Sequence, residues 1–304
     1  MSTPRERIIA AAKSVRATSR ESESESNPDQ FRVVITGKGG VGKTTLTALL
    51  ARSLARRDFT VLALDADPQM NLPFALGLEP REAEALIALS KNVDYVEEKT
   101  GARPGEGWGL FFRLNPDVTD VVERFGVVGP DDVRLLVMGS LTQPAVGCLC
   151  PENSLLASVV NALALREGEV ILMDTQAGVE HFGRALAKGF HQAVVVADPT
   201  FNAIQVAGQT ASLARQMGIP AVHLVVNRVR REDELAKAEA RVAQGGFSST
   251  FSSVQALPYE ERCLQSEPSV SDLLELNESP FLSAVGALRE NLVRTEKEVS
   301  SCVS

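Results

Sequence analysis

Cysteine is scarce in this chain: Cys148, Cys150, Cys263 and Cys302 are the four among 304 residues, too few and too unevenly spaced for a disulfide scaffold. That scarcity points to a reducing compartment and hence to a cytoplasmic protein. No apolar run approaches the roughly 20 residues a bilayer-spanning helix needs. The longest, near Gln192–Ala197 and Ala221–Val226, are strand-length, so no integral membrane segment is expected. Long Lys/Arg runs are also missing and the formal net charge is −8, which argues against a non-specific nucleic-acid binder. What remains is a chain that is 44% hydrophobic, long enough for one large or two ordinary domains and for a sizeable core.

The first 20 residues contain Arg and Ser with a single acidic residue, a composition that fits a transit peptide or a short tethered helix. Glu21–Gln30 reads ESESESNPDQ and has no apolar residue to bury, so residues 1–30 are expected to form a flexible arm and linker. From Phe31 onward strand and helix patterns alternate. FRVVIT is a β-branched run ending in glycine; Leu46, Leu49, Leu50 and Leu54 follow at helical spacing; Phe59–Leu64 is again strand-like. Strands are predicted at 133–138, 169–173, 193–197 and 221–226, and helices at 152–165, 203–217 and 232–243. A closing helix starts with Ser279 as N-cap and Pro280 in the first turn. Such alternation predicts an α/β fold, a mostly parallel, doubly wound sheet with helices on both faces, in a single domain over 31–304. The Gly/Pro-rich stretch Gly101–Gly129 reads as a long surface excursion.

Between the first strand and the first helix, Gly37, Gly42, Lys43 and Thr44 fit the phosphate-loop pattern G-x-x-x-x-G-K-[ST]. Glycines let backbone N–H groups approach phosphates, and the helix beginning near Lys43 offers its positive end. Gly37, Lys38, Gly39, Gly40, Val41, Gly42, Lys43, Thr44 and Thr45 are therefore the expected nucleotide-binding segment. Lys43 is assigned to the β- and γ-phosphates of ATP and Thr44 to Mg²⁺. Asp65 and Asp67, in LDADPQMN, fall at the end of the second strand, on the sheet edge where α/β proteins bind ligands. Asp174 follows the apolar strand EVILM, the pattern of a carboxylate that holds a Mg²⁺ water.

The second lysine in GKGGVGKTT, Lys38, resembles the deviant phosphate-loop signature of the ATPases that include partitioning proteins, arsenite-pump subunits and the nitrogenase iron protein. The resemblance implies that Lys38 reaches across a homodimer to the partner's nucleotide; a solvated loop lysine is the plainer reading. It implies that Asp67 orients the attacking water and that Asp65 supports the Mg²⁺ shell, although either could cap the turn instead. It also implies that Gly178 senses the γ-phosphate, that Asn227 reads the adenine edge or caps a turn, and that Pro258 flanks the base. Lys38, Lys43 and Asp67 would then be the catalytic groups.

GCLCPENSLL is the most specific remaining feature. Pro151 suits the first helical position, which places Cys150 at the N-cap, where the dipole favours a thiolate, with Cys148 two residues before it. Two thiolates are soft ligands for Ni²⁺ or Zn²⁺ and fill half of a tetrahedral site; a twofold dimer would supply the other half. From Phe31 to the end, through GKGGVGKTT, LDADPQMN, GCLCPEN and DTQAGVEHFGR, the chain resembles the nickel-insertion ATPases of carbon monoxide dehydrogenase. This resemblance implies a dimeric metal-handling ATPase with that enzyme as client. Two cysteines without a metal remain the alternative. Partitioning or membrane-cycling ATPases, and iron protein-like electron-transfer proteins, are the rival branches. The iron protein's second cluster cysteine corresponds to His181 here, a residue that either approaches the dimer axis or is simply packed. His191 and His223 read as structural.

Overall fold

The structure, a computed structural model, describes residues 30–104, 112–113, 115–139, 151–163, 168–176, 189–276 and 278–301. The arm 1–29, Cys148, Cys150, Gly178, His181 and Cys302 lie outside the described residues. In chain order the strands and the helices of eight or more residues are β1 Phe31–Gly37, α1 Lys43–Ala55, β2 Val61–Ala66, α2 Val93–Thr100, β3 Val127–Val128, β4 Arg134–Val137 and α3 Pro151–Leu163. They continue with β5 Val170–Thr175, β6 Gln192–Ala197, α4 Phe201–Gln216, β7 Ala221–Val229, α5 Glu232–Gln244, β8 Ser253–Pro258 and α6 Pro280–Ser301.

The strands form one sheet in the order β3-β4-β2-β5-β1-β6-β7-β8. Every neighbouring pair is parallel except β3 with β4. β1, β2, β5 and β6 are buried along their whole length, which is why their sequences run continuously apolar instead of alternating. Period-two geometry still divides them between two cores. Val33 and Ile35 of β1 pack with Leu49 and Leu50 of α1 and Leu288 and Leu292 of α6. Val34 joins Leu155 and Val159 of α3 and Ile204 of α4 on the other face. Both faces are thus covered, as a parallel sheet requires.

The chain winds outward from β1 through β2 to β4, returns to β5, then crosses β1 to build β6, β7 and β8. The order reverses at β1, the place where open α/β sheets bind ligands, and the glycine loop leaves that strand there. Two helix starts match the sequence expectation: α3 begins at Pro151, and the Ser279 hydroxyl accepts a hydrogen bond from the Leu282 N–H at 3.3 Å to open α6. The reading of 101–129 as a surface excursion is corrected: Val118, Val121 and Val122 are buried, packed into the core beside α3. Those apolar residues stand among Asp, Thr and Glu in a Gly/Pro-rich stretch, and burial there depends on a neighbouring helix that local pattern does not reveal.

Candidate functional site

β1 ends at Gly37, at φ 143°, where only glycine fits, since a Cβ there would lie 2.2 Å from the Val196 carbonyl oxygen of β6. Neighbouring strands therefore press on the loop at its first residue. The loop turns through Lys38 to Gly42 and enters α1 at Lys43, with Lys38 exposed and Lys43 7% exposed. The Lys43 ammonium donates to the Lys38 carbonyl at 3.1 Å, curling back over its own loop. Burial lowers its pKa, and the nearby Asp174 and Asp67 carboxylates act in the opposite direction.

Thr44, the next residue of α1, donates its hydroxyl to Asp174 at 2.6 Å across from β5, and the Thr47 hydroxyl lies 3.5 Å from the other Asp174 oxygen. Asp65 pairs in register with Asp174 on the adjacent strand, so two carboxylates end neighbouring strands in the interior. Desolvation pushes both up to about 7; Asp174 raises Asp65 further, while the Thr44 bond and the Lys43 charge pull Asp174 down. The Asp65 carboxylate accepts from the Asp67 and Leu72 N–H groups, each at 3.0 Å, and its carbonyl accepts from Met138 at 2.8 Å. These are the contacts of a turn cap: Asp65 ties the loop bearing Asp67 to the end of β4. Asp67 is partly exposed and accepts from the Gln69 N–H at 2.9 Å.

Beside the loop opens a cavity of about 370 Å³ lined by Gly42, Thr45, Asn227, Pro258, Tyr259 and Cys263, among others. Asn227 and Pro258, distant in sequence, are thus brought to one hollow at the ends of β7 and β8. Two lining features were not legible beforehand. Arg230 stacks over Tyr259, 4.1 Å from the ring centroid. Cys263 sits within the cavity wall, its thiol pushed up to about 11 by burial and by Glu260. Apart from the cavity, Thr47, the second hydroxyl beside Asp174, was likewise hidden in the apolar stripe of α1. By contrast, His223 is buried with its pKa lowered to about 4, and His191 contacts Glu296 at 2.8 Å, both remote from the loop in structural networks. Among the described residues no cluster of three or more His, Cys, Asp or Glu could hold a metal ion, and no helix is long and apolar enough to cross a membrane.

A glycine loop at the reversal point of a parallel sheet, with threonine and buried aspartate joined beneath it, defines a P-loop nucleotide-binding ATPase domain. The chain belongs to the CbiA family, the CobQ/CobB/MinD/ParA nucleotide binding domain, which it matches over residues 33–263. It is 37% identical over 199 residues to the carbon monoxide dehydrogenase accessory protein CooC of Rhodospirillum rubrum, covering 66% of this chain and 74% of that one. An uncharacterized ATP-binding protein of Methanocaldococcus jannaschii is 36% identical over 243 residues, 78% and 88% of the two chains. Among solved structures, the cell division ATPase MinD of Pyrococcus furiosus superposes with a TM-score of 0.59 at 21% identity, covering 87% of this chain and 99% of its own. MinD of Aquifex aeolicus gives 0.56 at 23% identity, covering 86% and 96%. The structural likeness concerns the fold; the sequence relatives and the family mark the protein as an ATP-binding ATPase.

Proposed function

We propose that the protein is a dimeric, cytoplasmic ATPase that handles a transition-metal ion, nickel for insertion into carbon monoxide dehydrogenase. The observation that carries this reading is the 37% identity to a carbon monoxide dehydrogenase accessory protein in a chain that also has Cys148 and Cys150 immediately before α3. Cys150 precedes a helix that starts at Pro151, where the helix dipole would favour its ionised form, and a second copy of the chain would complete a four-sulfur site for the cargo ion.

The geometry supports a division of labour in nucleotide hydrolysis. Lys43 holds the β- and γ-phosphates, exchanging its contact with the Lys38 carbonyl for a stronger charge-assisted one. Thr44 and Asp174 already touch and offer only hard oxygen donors, a fit for Mg²⁺ through the hydroxyl and an intervening water; the ion would neutralise phosphate charge. Asp67 orients the attacking water from a turn that Asp65 holds in place. Lys38 is exposed at the loop's outer edge, available to a partner's nucleotide, and Gly178 completes the phosphate sensor. Pro258 lines the hollow in which the base would be received, and Asn227 stands between that hollow and the phosphate loop. The proposed dimer brings two such sites face to face.

The test is activation of nickel-free carbon monoxide dehydrogenase with Ni²⁺, ATP and this protein. Restoration of carbon monoxide oxidation should require ATP and be lost in Cys148→Ser/Cys150→Ser. Activation that ignores both would favour the positioning ATPases as the functional model.

A further inference from the structure

The side chain of Asn227 is spent on the phosphate loop. Its Nδ2 donates to the Val41 carbonyl at 2.7 Å, across 186 residues of sequence, and its Oδ1 accepts from the Arg228 N–H at 2.9 Å. These two bonds fix the amide's orientation, because the flipped rotamer would set N–H against N–H and oxygen against oxygen. Two unusual backbone sites flank these bonds. Arg228 lies at φ 60°, a left-handed conformation that costs a non-glycine residue free energy, and the β7–β8 register shifts between Val226 and Val229. Gly42 has φ 93°, and a Cβ on it would stand 2.7 Å from Asn227 Nδ2. The bulge ending β7 thus carries one amide up against one peptide of the loop.

We propose that Asn227 is a positioning residue of the phosphate loop, holding the Val41–Gly42 peptide so that the Gly42 N–H is presented to a phosphate. A trans peptide sets its N–H opposite its carbonyl. With the Val41 oxygen tied to Asn227, the Gly42 N–H points to the opposite side, away from the Asn227 amide. A loop of glycines has little conformational preference of its own, so an external tether removes the alternative peptide orientation before nucleotide arrives. The inference rests on the reading that Gly37–Thr45 holds nucleotide, and it assigns Asn227 to the phosphate end of the ligand instead of its base.

ATP and ITP share their phosphates and differ at the 6-position of the purine, so equilibrium titration of both with Mg²⁺ separates the two roles. Asn227→Asp retains the acceptor for Arg228 N–H and loses the donor to Val41, setting a carboxylate against a carbonyl. It should weaken ATP and ITP by about the same factor, roughly tenfold for one lost hydrogen bond, with their ratio unchanged. Asn227→Ala should do the same, and it carries the comparison if the aspartate variant does not fold. Titrations are made well below each variant's melting temperature, where simple destabilisation leaves affinity unmoved. Weakening of ATP alone, or affinities within twofold of wild type, would overturn the proposal. Lys43→Gln serves as the control: if it too binds ATP normally, the phosphate-loop reading itself is wrong, whereas if it alone loses ATP, only the role of Asn227 fails.

Discussion

Lys43 is the charge on which the site turns, since burial has already weakened its preference for the protonated form and the flanking Asp174 and Asp67 oppose that loss. Lys43→Gln keeps the stem and removes the ammonium. ATP affinity should fall about a hundredfold, the equivalent of ~3 kcal/mol for a charged hydrogen bond, measured by nucleotide titration. Asp174 supports a prediction on stability. Folding raises its pKa from 3.8 to about 7, so the folded chain holds a proton that the unfolded chain releases between those values. Its stabilising contribution is present at low pH and is lost as pH rises through about 7. In chelator and without nucleotide, Asp174→Asn should therefore melt several degrees above wild type at pH 8, with the gap closing toward pH 4. Asp65 adds to the gap in the same sense, because the variant no longer raises it with the Asp174 charge, whereas His223, lowered to about 4, is common to both proteins and cancels in the difference. A gap independent of pH would contradict the assignment.

At the scale of elements, the core of the site was readable because its signals are local. β1, β5 and β6 are apolar runs whose ends carry the glycine loop and Asp174, and Pro151 and Ser279–Pro280 mark helix starts by chemistry confined to one turn. β8 was not readable: in SVQALP only Leu257 is fully buried, so this edge strand shows neither a continuous nor an alternating pattern. Asn227 and Asp65 were ambiguous in type, each able to cap or to bind, and their partners Val41 and Leu72 are supplied by other elements. Arg52 belongs to the same class. It is a charged residue of α1 that is only 5% exposed, pairs with Asp131 at 2.6 Å and donates to Ser271 at 2.7 Å. It joins α1 to the 130–132 turn and to the short helix 271–274. Arg52→Ala leaves Asp131 with only the more exposed Arg56, 3.1 Å away, and should cost roughly 2 kcal/mol in urea unfolding, as expected for losing hydrogen bonds to a charged group. A change below about 0.5 kcal/mol, as for an exposed pair, would show that the linkage contributes nothing.

For the whole molecule the decisive quantity is what two copies bind together. In the proposed dimer Cys148 and Cys150 would supply two thiolates per chain, and a divalent ion with tetrahedral preference needs four ligands, so a symmetric pair of chains should take up one ion. Asp65 fastens the Asp67 turn to Met138 at the end of β4, and the chain runs from there toward the cysteines, ten and twelve residues on. Nucleotide occupancy and sulfur geometry are therefore expected to be coupled, and by linkage the metal must shift nucleotide-dependent dimerisation by the factor with which nucleotide shifts metal affinity. Nickel and zinc titrations followed by sizing chromatography, with and without ATP, measure both sides of that cycle. Wild type should bind about one ion per two chains and dimerise more readily with metal present; Cys148→Ser/Cys150→Ser should lose the metal response while retaining ATP binding, because neither residue belongs to the phosphate loop. Cys263→Ser should keep the metal stoichiometry, since burial pushes that thiol up to about 11 and it lines the cavity beside Gly42. Stoichiometric binding that survives in the Cys148→Ser/Cys150→Ser protein would place the metal elsewhere, and dimerisation indifferent to metal would break the coupling.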